Sequence, residues 1–394
     1  MKPVGIHDFS LNCSLGSDGN EIWNNIQNGD ISGMTIDTKY LNGDPTFIGK
    51  INQSLAKLDA KYSHFDYRAN QLLYATFEQI KESYDELIRY VPAHRIGVIL
   101  GTSTAGGDSL EVAIPFFDKH KKWPKTYLPH HQRMGSVSEF LAEYLGIYGP
   151  VMSVSTACSS SVKAMISAQR WINNDICDVV ITGGVDVLCQ VTVKGFNSLG
   201  ALSNELCLPF SKNRKGINIG EAAALFILKK ETAEINFLGG GESSDAYHIS
   251  SPDPQGKGAI TAMQRALINS GLKSCEVDYL NLHGTATMQN DAMESLAVNA
   301  VFDHGICCSS TKALTGHTLG AAGALEIGLS ALSMTDINAK GGYIPHIYDD
   351  HYDLKLTQLN LMTTDNQLGR PTTIMSNSFA FGGSNASAIL SRRK

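Results

Sequence analysis

Short apolar runs alternate along the chain with longer stretches in which apolar residues recur every three or four positions. The runs predict strands near 4–11, 96–100, 150–154, 179–181, 221–228, 235–238, 279–282, 306–309, 373–377 and 386–391. The periodic stretches predict a short helix from Glu21 and longer ones over 65–90, 136–145, 159–171, 259–270, 291–301 and 319–334. Ala69, Leu72, Leu73, Phe77, Ile80 and Leu87 form the apolar face of the 65–90 segment. Residues 39–50 read as loop, and 343–370, polar and rich in aspartate, as a surface excursion. The rhythm of the first 234 residues recurs without any residue-level repeat, so the chain reads as two similarly built α/β halves, 1–234 and 235–394.

Composition narrows the classes. With 43% hydrophobic residues in 394, the chain can bury a substantial core. A net charge of −6, with no basic block interleaved with aromatics, argues against nucleic acid as the main partner. No run of about eighteen apolar residues offers a membrane span, and the first residues lack a signal-like apolar segment, so a soluble, cytoplasmic protein is expected. Eight cysteines lie scattered without CxxC pairs, which points to neither a zinc site nor a disulfide framework. Cys307 and Cys308 read as core.

Candidate chemistry begins at VSTACSSSVKA, Val154 to Ala164, where Cys158 falls between a strand and a helix. A helix N-terminus has unpaired N–H groups and a favourable dipole for negative charge, which biases a thiol there towards thiolate. A buried structural thiol is the other reading of the same stretch. GTSTAGG after the strand at 96–100 matches no phosphate-binding pattern and reads as a tight structural turn. Three further segments hold chemistry-bearing residues at strand ends: HGTATMQNDAMES with His283, Asp291 and Glu294; TKALTGHTLGAAG with Lys312 and His317; and NSFAFGGSNAS with Phe381 and Gly382. Each has a structural reading too, as a satisfied turn histidine, a helix cap or a β-turn.

In order and content these segments, with PFSKNRKGINIGEAAA and SSDAYHISSPDP, resemble the elongating, decarboxylating β-ketoacyl-acyl carrier protein synthases of the thiolase superfamily, over roughly residues 5–390. The resemblance implies a layered α-β-α-β-α body and a decarboxylative Claisen condensation of fatty-acid, polyketide or polyene type, without metal or organic cofactor. It assigns Cys158 as nucleophile, the N–H groups of Cys158 and Phe381 as oxyanion hole, and His283 and His317 as donors to a thioester enolate. It gives Lys312 an electrostatic role beside Glu294, and Phe381 with Gly382 a gate; Asp291 is expected to cap its helix. Expected partners are an acyl carrier protein bearing acyl and malonyl groups and either a second copy or a chain-length-factor-like subunit. Lys57, Lys61, Lys212, Arg214 and Lys215 are candidates for docking the acidic carrier. The pattern departs from thiolases, which place a second cysteine where Phe381-Gly382-Gly383 stands, and from initiating synthases, which use asparagine in place of the second histidine. A non-catalytic chain-length-factor-like subunit is the alternative function, against which the retained cysteine counts; a cysteine hydrolase would need an activated water. Ala380, Ala286, Ser211 and a short 202–209 loop depart from the family pattern and suggest a specialised pathway.

Overall fold

The computed structural model describes residues 1–365 and 368–393, so Asn366 and Gln367 of the expected excursion lie outside the described residues. The first half contributes β1 (Val4–Asn12), β2 (Ile96–Gly101), β3 (Val151–Val154), β4 (Val179–Asp186) and β5 (Ala222–Lys229). The second contributes β6 (Ile235–Ser244), β7 (Tyr279–Asn281), β8 (Cys307–Ser309), β9 (Thr373–Phe379) and β10 (Ser384–Arg392). Each half pairs its strands third, second, fourth, fifth, first, reading inward from its edge. Strand directions repeat as well: the second strand is parallel to both neighbours, and the fifth is antiparallel to both of its own. The halves join where β1 pairs antiparallel with β6, Val4 opposite Phe237 and Ile6 opposite Ile235.

Helices fill the layers on either side. On the outer face of the first half lie α1 (Arg68–Glu78) and α2 (Ser136–Leu145), burying Leu72, Leu73, Phe77, Phe140 and Leu141 against Val98 and Ile181. Between the halves lie α3 (Ser160–Asn173) and α6 (Ala322–Met334), whose Val162, Ile166, Leu325 and Ile327 share one core with Phe226 of the first half and Tyr279 and Ile374 of the second. The outer face of the second half is covered by α4 (Lys257–Ser270) and α5 (Met288–Val301). Five layers result. Every residue of α6 is buried, which is why its sequence is apolar or small all round apart from Glu326. Close approach of the central helices requires glycine: a Cβ at Gly101 would lie 2.3 Å from the Ser161 nitrogen, and one at Gly323 2.3 Å from a Val162 methyl.

Several elements differ from the sequence pattern. The 65–90 segment is not one helix: residues 60–65 form a 3₁₀ turn, α1 ends at Glu78, and Lys81–Leu87 forms a second helix after Ile80 leaves helical geometry (φ −115°, ψ 9°). The apolar period of Phe77, Ile80 and Tyr84 runs straight through this break, so periodicity could not reveal it. Thr46–Gly49, within the expected loop, is a strand pairing with Met34–Asp37 and with Ile219–Gly220. Among the described residues the helices Gly107–His120 and Gln190–Ser198 and the single turn Lys312–Thr315 were not anticipated; the first two bury only Ala113 and Val193 respectively, leaving little apolar stripe to read. The 343–370 segment is partly interior: Ile344 and His346 are buried, and Asn360–Leu361 adds a strand beside β8. Among the described residues no helix is long and apolar enough to cross a membrane.

Candidate active site

Cys158 stands two residues before α3, in a turn whose hydroxyls replace missing helix bonds. Thr156 N–H donates to Ser160 Oγ (2.9 Å), Ser160 Oγ donates to the Ala157 carbonyl (2.5 Å), and Ser159 Oγ to that of Thr156 (2.9 Å). Ser161 Oγ accepts the Ala324 N–H at 2.8 Å, tying the turn's helix to α6. The run of serines is thus the framework of the turn. Ala157 pays for it locally with a left-handed φ of 51°.

Both histidines arrive from the second half. His283 follows β7, and Glu294 of α5 accepts the N–H groups of His283 and Gly284, each at 2.7 Å. His317 follows Gly316 (φ 67°); its N–H donates to the Asn218 carbonyl (2.7 Å) and its carbonyl accepts the Gly220 N–H (3.0 Å). These anchors set His317 Nε2 2.8 Å from Cys158 Sγ, with the two imidazoles edge to face at 5.3 Å. Cys158, His283 and His317 each offer an atom within 4.8 Å of the others. Such a set could ligate a soft metal by distance, but the Lys312 charge acts on both imidazoles and opposes a cation among them. The arrangement suits an anion.

Lys312 pairs with Glu326, not with Glu294. Its Nζ lies 2.5 Å from Glu326 Oε1, and both side chains are buried. Glu294 is unavailable because two main-chain N–H groups and the Asn290 amide occupy it. The signal for Glu326 was present in the sequence: one carboxylate inside an otherwise apolar, fully buried helix needs a cation.

Burial dominates the electrostatics. It pushes the Cys158 thiol up to about 11, against the Lys312 charge and hydrogen bonds from the N–H groups of Phe381 and Cys158 itself. Burial thus opposes the thiolate bias expected from a helix N-terminus, since removal from water outweighs the turn's N–H groups. His283 and His317 are held well below the usual imidazole range, first by burial and then by Lys312, so both are neutral. Burial likewise raises Glu294 to about 7, opposed by the N–H groups of Gly284 and His283.

Asp291 does not cap α5. Thr287 does, its side chain accepting the Asn290 N–H. Asp291 instead accepts the N–H groups of Phe210 (2.7 Å) and Ala286 (3.2 Å), holding two residues of positive φ, 61° and 62°. Because alanine resists that conformation, Ala286→Gly is expected to stabilise the fold by about 0.5–1 kcal/mol, read as a rise in the urea midpoint at unchanged slope.

Phe381 and Gly382 lie in the turn between β9 and β10. Phe381 packs on Phe196 with centroids 5.4 Å apart, Gly382 N–H donates to the Ile249 carbonyl (2.8 Å), and Asp245 N–H donates to that of Gly383 (2.9 Å). A cavity of 240 Å³ opens above the cysteine, bounded by Cys158, both histidines, Phe381, Ile217 and Lys215. Of the docking candidates, Lys57, Lys61, Lys212 and Lys215 are exposed. Arg214 is not: it is buried, 2.7 Å from Asp353 and 3.6 Å from Asp291, so it anchors a loop and cannot meet a partner. GTSTAGG is the structural turn expected of it. Asp186 accepts the N–H groups of Ser103 and Thr104, both threonine hydroxyls, and the Gly320 N–H, filling the loop from within.

With this geometry in hand, comparison with known proteins is decisive. Residues 1–234 match the beta-ketoacyl synthase N-terminal domain, and 233–340 the beta-ketoacyl synthase C-terminal domain. The chain belongs to the beta-ketoacyl synthase family. A 3-oxoacyl-[acyl-carrier-protein] synthase 2 of Staphylococcus aureus (strain COL) is 30% identical over 423 aligned positions, covering 99% of this chain and 98% of that protein. Its counterpart from Coxiella burnetii is 32% identical over 327, covering 76% of each. Among solved structures, the ketosynthase ApeO in complex with its chain length factor ApeC from Xenorhabdus doucetiae matches with TM-score 0.93 and 40% identity, covering 100% of this chain and 98% of that one. A beta-ketoacyl synthase from Burkholderia phymatum STM815 matches at 0.89 and 25%, covering 100% of both chains. This ketosynthase is thus an acyltransferase of the 3-oxoacyl-[acyl carrier protein] synthase type, on a thiolase-like fold.

Proposed function

We propose that this ketosynthase condenses an acyl group held on Cys158 with malonyl-acyl carrier protein, giving a 3-oxoacyl chain two carbons longer. The observation that carries the reading is the 2.8 Å contact between His317 Nε2 and Cys158 Sγ, on a sulfur that also receives the N–H groups of Phe381 and Cys158. Sulfur attacks the carrier thioester carbonyl while its proton passes to His317. The two N–H groups hold the tetrahedral oxyanion, and the carrier thiol departs with the proton. Malonyl thioester then loses carbon dioxide, and the enolate oxygen accepts hydrogen bonds from the neutral imidazoles of His283 and His317. Neutrality matters, because an imidazolium would hand over its proton and quench the carbanion. The enolate carbon attacks the acyl-sulfur carbonyl and expels the Cys158 thiolate. Lys312, anchored by Glu326, keeps both imidazoles uncharged, while Phe381 on its glycine-rich turn gates the cavity.

The partners we assign are an acidic carrier protein and a chain-length-factor-like subunit, with a homodimer as the other arrangement. The 40% identity to a ketosynthase solved with its chain length factor favours the heterodimer and a polyene- or polyketide-type pathway over housekeeping elongation. Free cysteines throughout the described residues support a reducing, cytoplasmic setting. A purely structural subunit would not keep the Cys158–His317 contact. The test is intact-mass measurement after incubation with acyl- and malonyl-carrier proteins: an acyl adduct on Cys158 and a 3-oxoacyl product are expected, and absence of both would sink the reading.

A further inference from the structure

The active-site cavity has an unusual charge balance. Among the described residues that line it there is no aspartate or glutamate, and besides the two neutral histidines the titratable groups are Cys158 and Lys215. Cys158 is at the buried end; Lys215, with a side chain 58% exposed, is at the solvent end. Its position is fixed by its neighbours in the chain. Before it, Arg214 is buried in its pairs with Asp353 and Asp291. After it, Gly216 has φ +125° and lies so close to the segment after the Gln190–Ser198 helix that a Cβ there would sit 2.2 Å from the Ala201 carbonyl oxygen. Ile217 N–H then donates to that carbonyl (2.8 Å), and Ser203 N–H to that of Ile217 (2.8 Å). The backbone on both sides is clamped, and Lys215 is the charged residue that this turn contributes to the cavity lining. Its ammonium rests on Glu205 Oε1 at 2.6 Å, a pair exposed on both sides (58% and 66%) and therefore weak and exchangeable.

We propose that Lys215 is a positioning residue that exchanges Glu205 for the phosphodiester of the carrier protein's phosphopantetheine arm as the arm enters the cavity. This rests on the function proposed above and names a contact within it. With no carboxylate among the described lining residues and Glu205 held only in an exposed, exchangeable pair, the rim ammonium is placed to take an incoming anion in Glu205's stead. Two anions enter with the substrates, the arm's phosphate and the malonyl carboxylate. The carboxylate must reach His283 and His317 at the buried end to be lost as carbon dioxide, which leaves the phosphate, at the far end of the arm, for the exposed ammonium.

The test compares wild type, Lys215→Ala and Lys215→Arg on malonyl and acyl thioesters of three kinds: carrier-bound, phosphopantetheine, and phosphate-free pantetheine. For Lys215→Ala, KM rises about fivefold with the first two, is unchanged with pantetheine, and kcat is unchanged throughout; Lys215→Arg restores KM. Glu205→Gln, which frees the ammonium, lowers KM for the phosphorylated substrates. A penalty confined to the whole carrier protein overturns the proposal in favour of surface docking. One that follows malonyl substrates with or without phosphate overturns it in favour of the carboxylate, and equal KM for all variants removes any role. Wild-type turnover separates the two claims: no 3-oxoacyl product from wild type defeats the function itself, whereas normal turnover with an unaltered Lys215→Ala KM defeats only the role of Lys215.

Discussion

Replacing Cys158 with alanine is expected to lower condensation on the order of 10⁴-fold and to leave no acyl adduct, while decarboxylation of malonyl thioester stays within about tenfold of wild type. The separation follows from geometry. The methyl of alanine cannot form the acyl thioester, but His283 and His317 are held by Glu294, Asn218 and Gly220, none of which depends on the sulfur. His283→Ala should show the reverse pattern. Acyl loading continues, because Cys158, its two N–H donors and His317 remain, and decarboxylation falls by about 10²–10³ through loss of one enolate donor. Measuring labelled carbon dioxide release and acyl-enzyme mass on the same samples checks both. If the two activities fall together in each variant, the division of labour is wrong.

The second large effect concerns Lys312. Lys312→Met leaves Glu326 without its cation inside a helix that touches no water, at a cost of about 3–5 kcal/mol in folding free energy. Lys312→Met combined with Glu326→Gln should recover much of that loss, because the second change removes the stranded charge. The double variant then isolates the electrostatic role. His283 and His317 are held neutral by burial first and by Lys312 second. Removing the cation raises both towards the ordinary imidazole range, so imidazolium forms at higher pH than before. The acid limb of the decarboxylation rate profile therefore moves up in pH, with the plateau above it little altered. An unmoved acid limb in a folded double variant would show that burial alone sets the histidines.

The positions of the nucleophile turn, the histidine turns and the terminal phenylalanine turn were legible in the sequence, because each couples an apolar run to a glycine or hydroxyl signature. The partner of Lys312 was misread since Glu294 lies near His283 in sequence, whereas Glu326 is brought in by the packing of α6 between the halves. Arg214 looked like a surface cation because its neighbours Lys212 and Lys215 are; its burial depends on Asp353, far along the chain. Proximity created by tertiary packing leaves no trace in local composition. The helix at Gly107–His120 was missed for a related reason: Val112, Ile114 and Phe116 are exposed, so its apolar residues do not trace a core-facing stripe. Nor could sequence reveal how strongly burial acts on Cys158, because a helix N-terminus reads the same whether or not water reaches it.

The turn carrying Phe381 has unequal ends. On one side Gly382 and Gly383 already occupy left-handed backbone at φ 81° and 73°; on the other Ala380 is extended at φ −100°. Alanine tolerates that extended geometry without strain, but turning it left-handed costs about 1–2 kcal/mol. For the gate proposed above, the glycine end is therefore the freer hinge, and any swing that needs left-handed rotation at residue 380 is expected to be rarer by about tenfold than in a chain with glycine there. The expected consequence for such a gate is one of timing: an aromatic door that opens less often would shelter a reactive acyl thioester for longer between carrier visits.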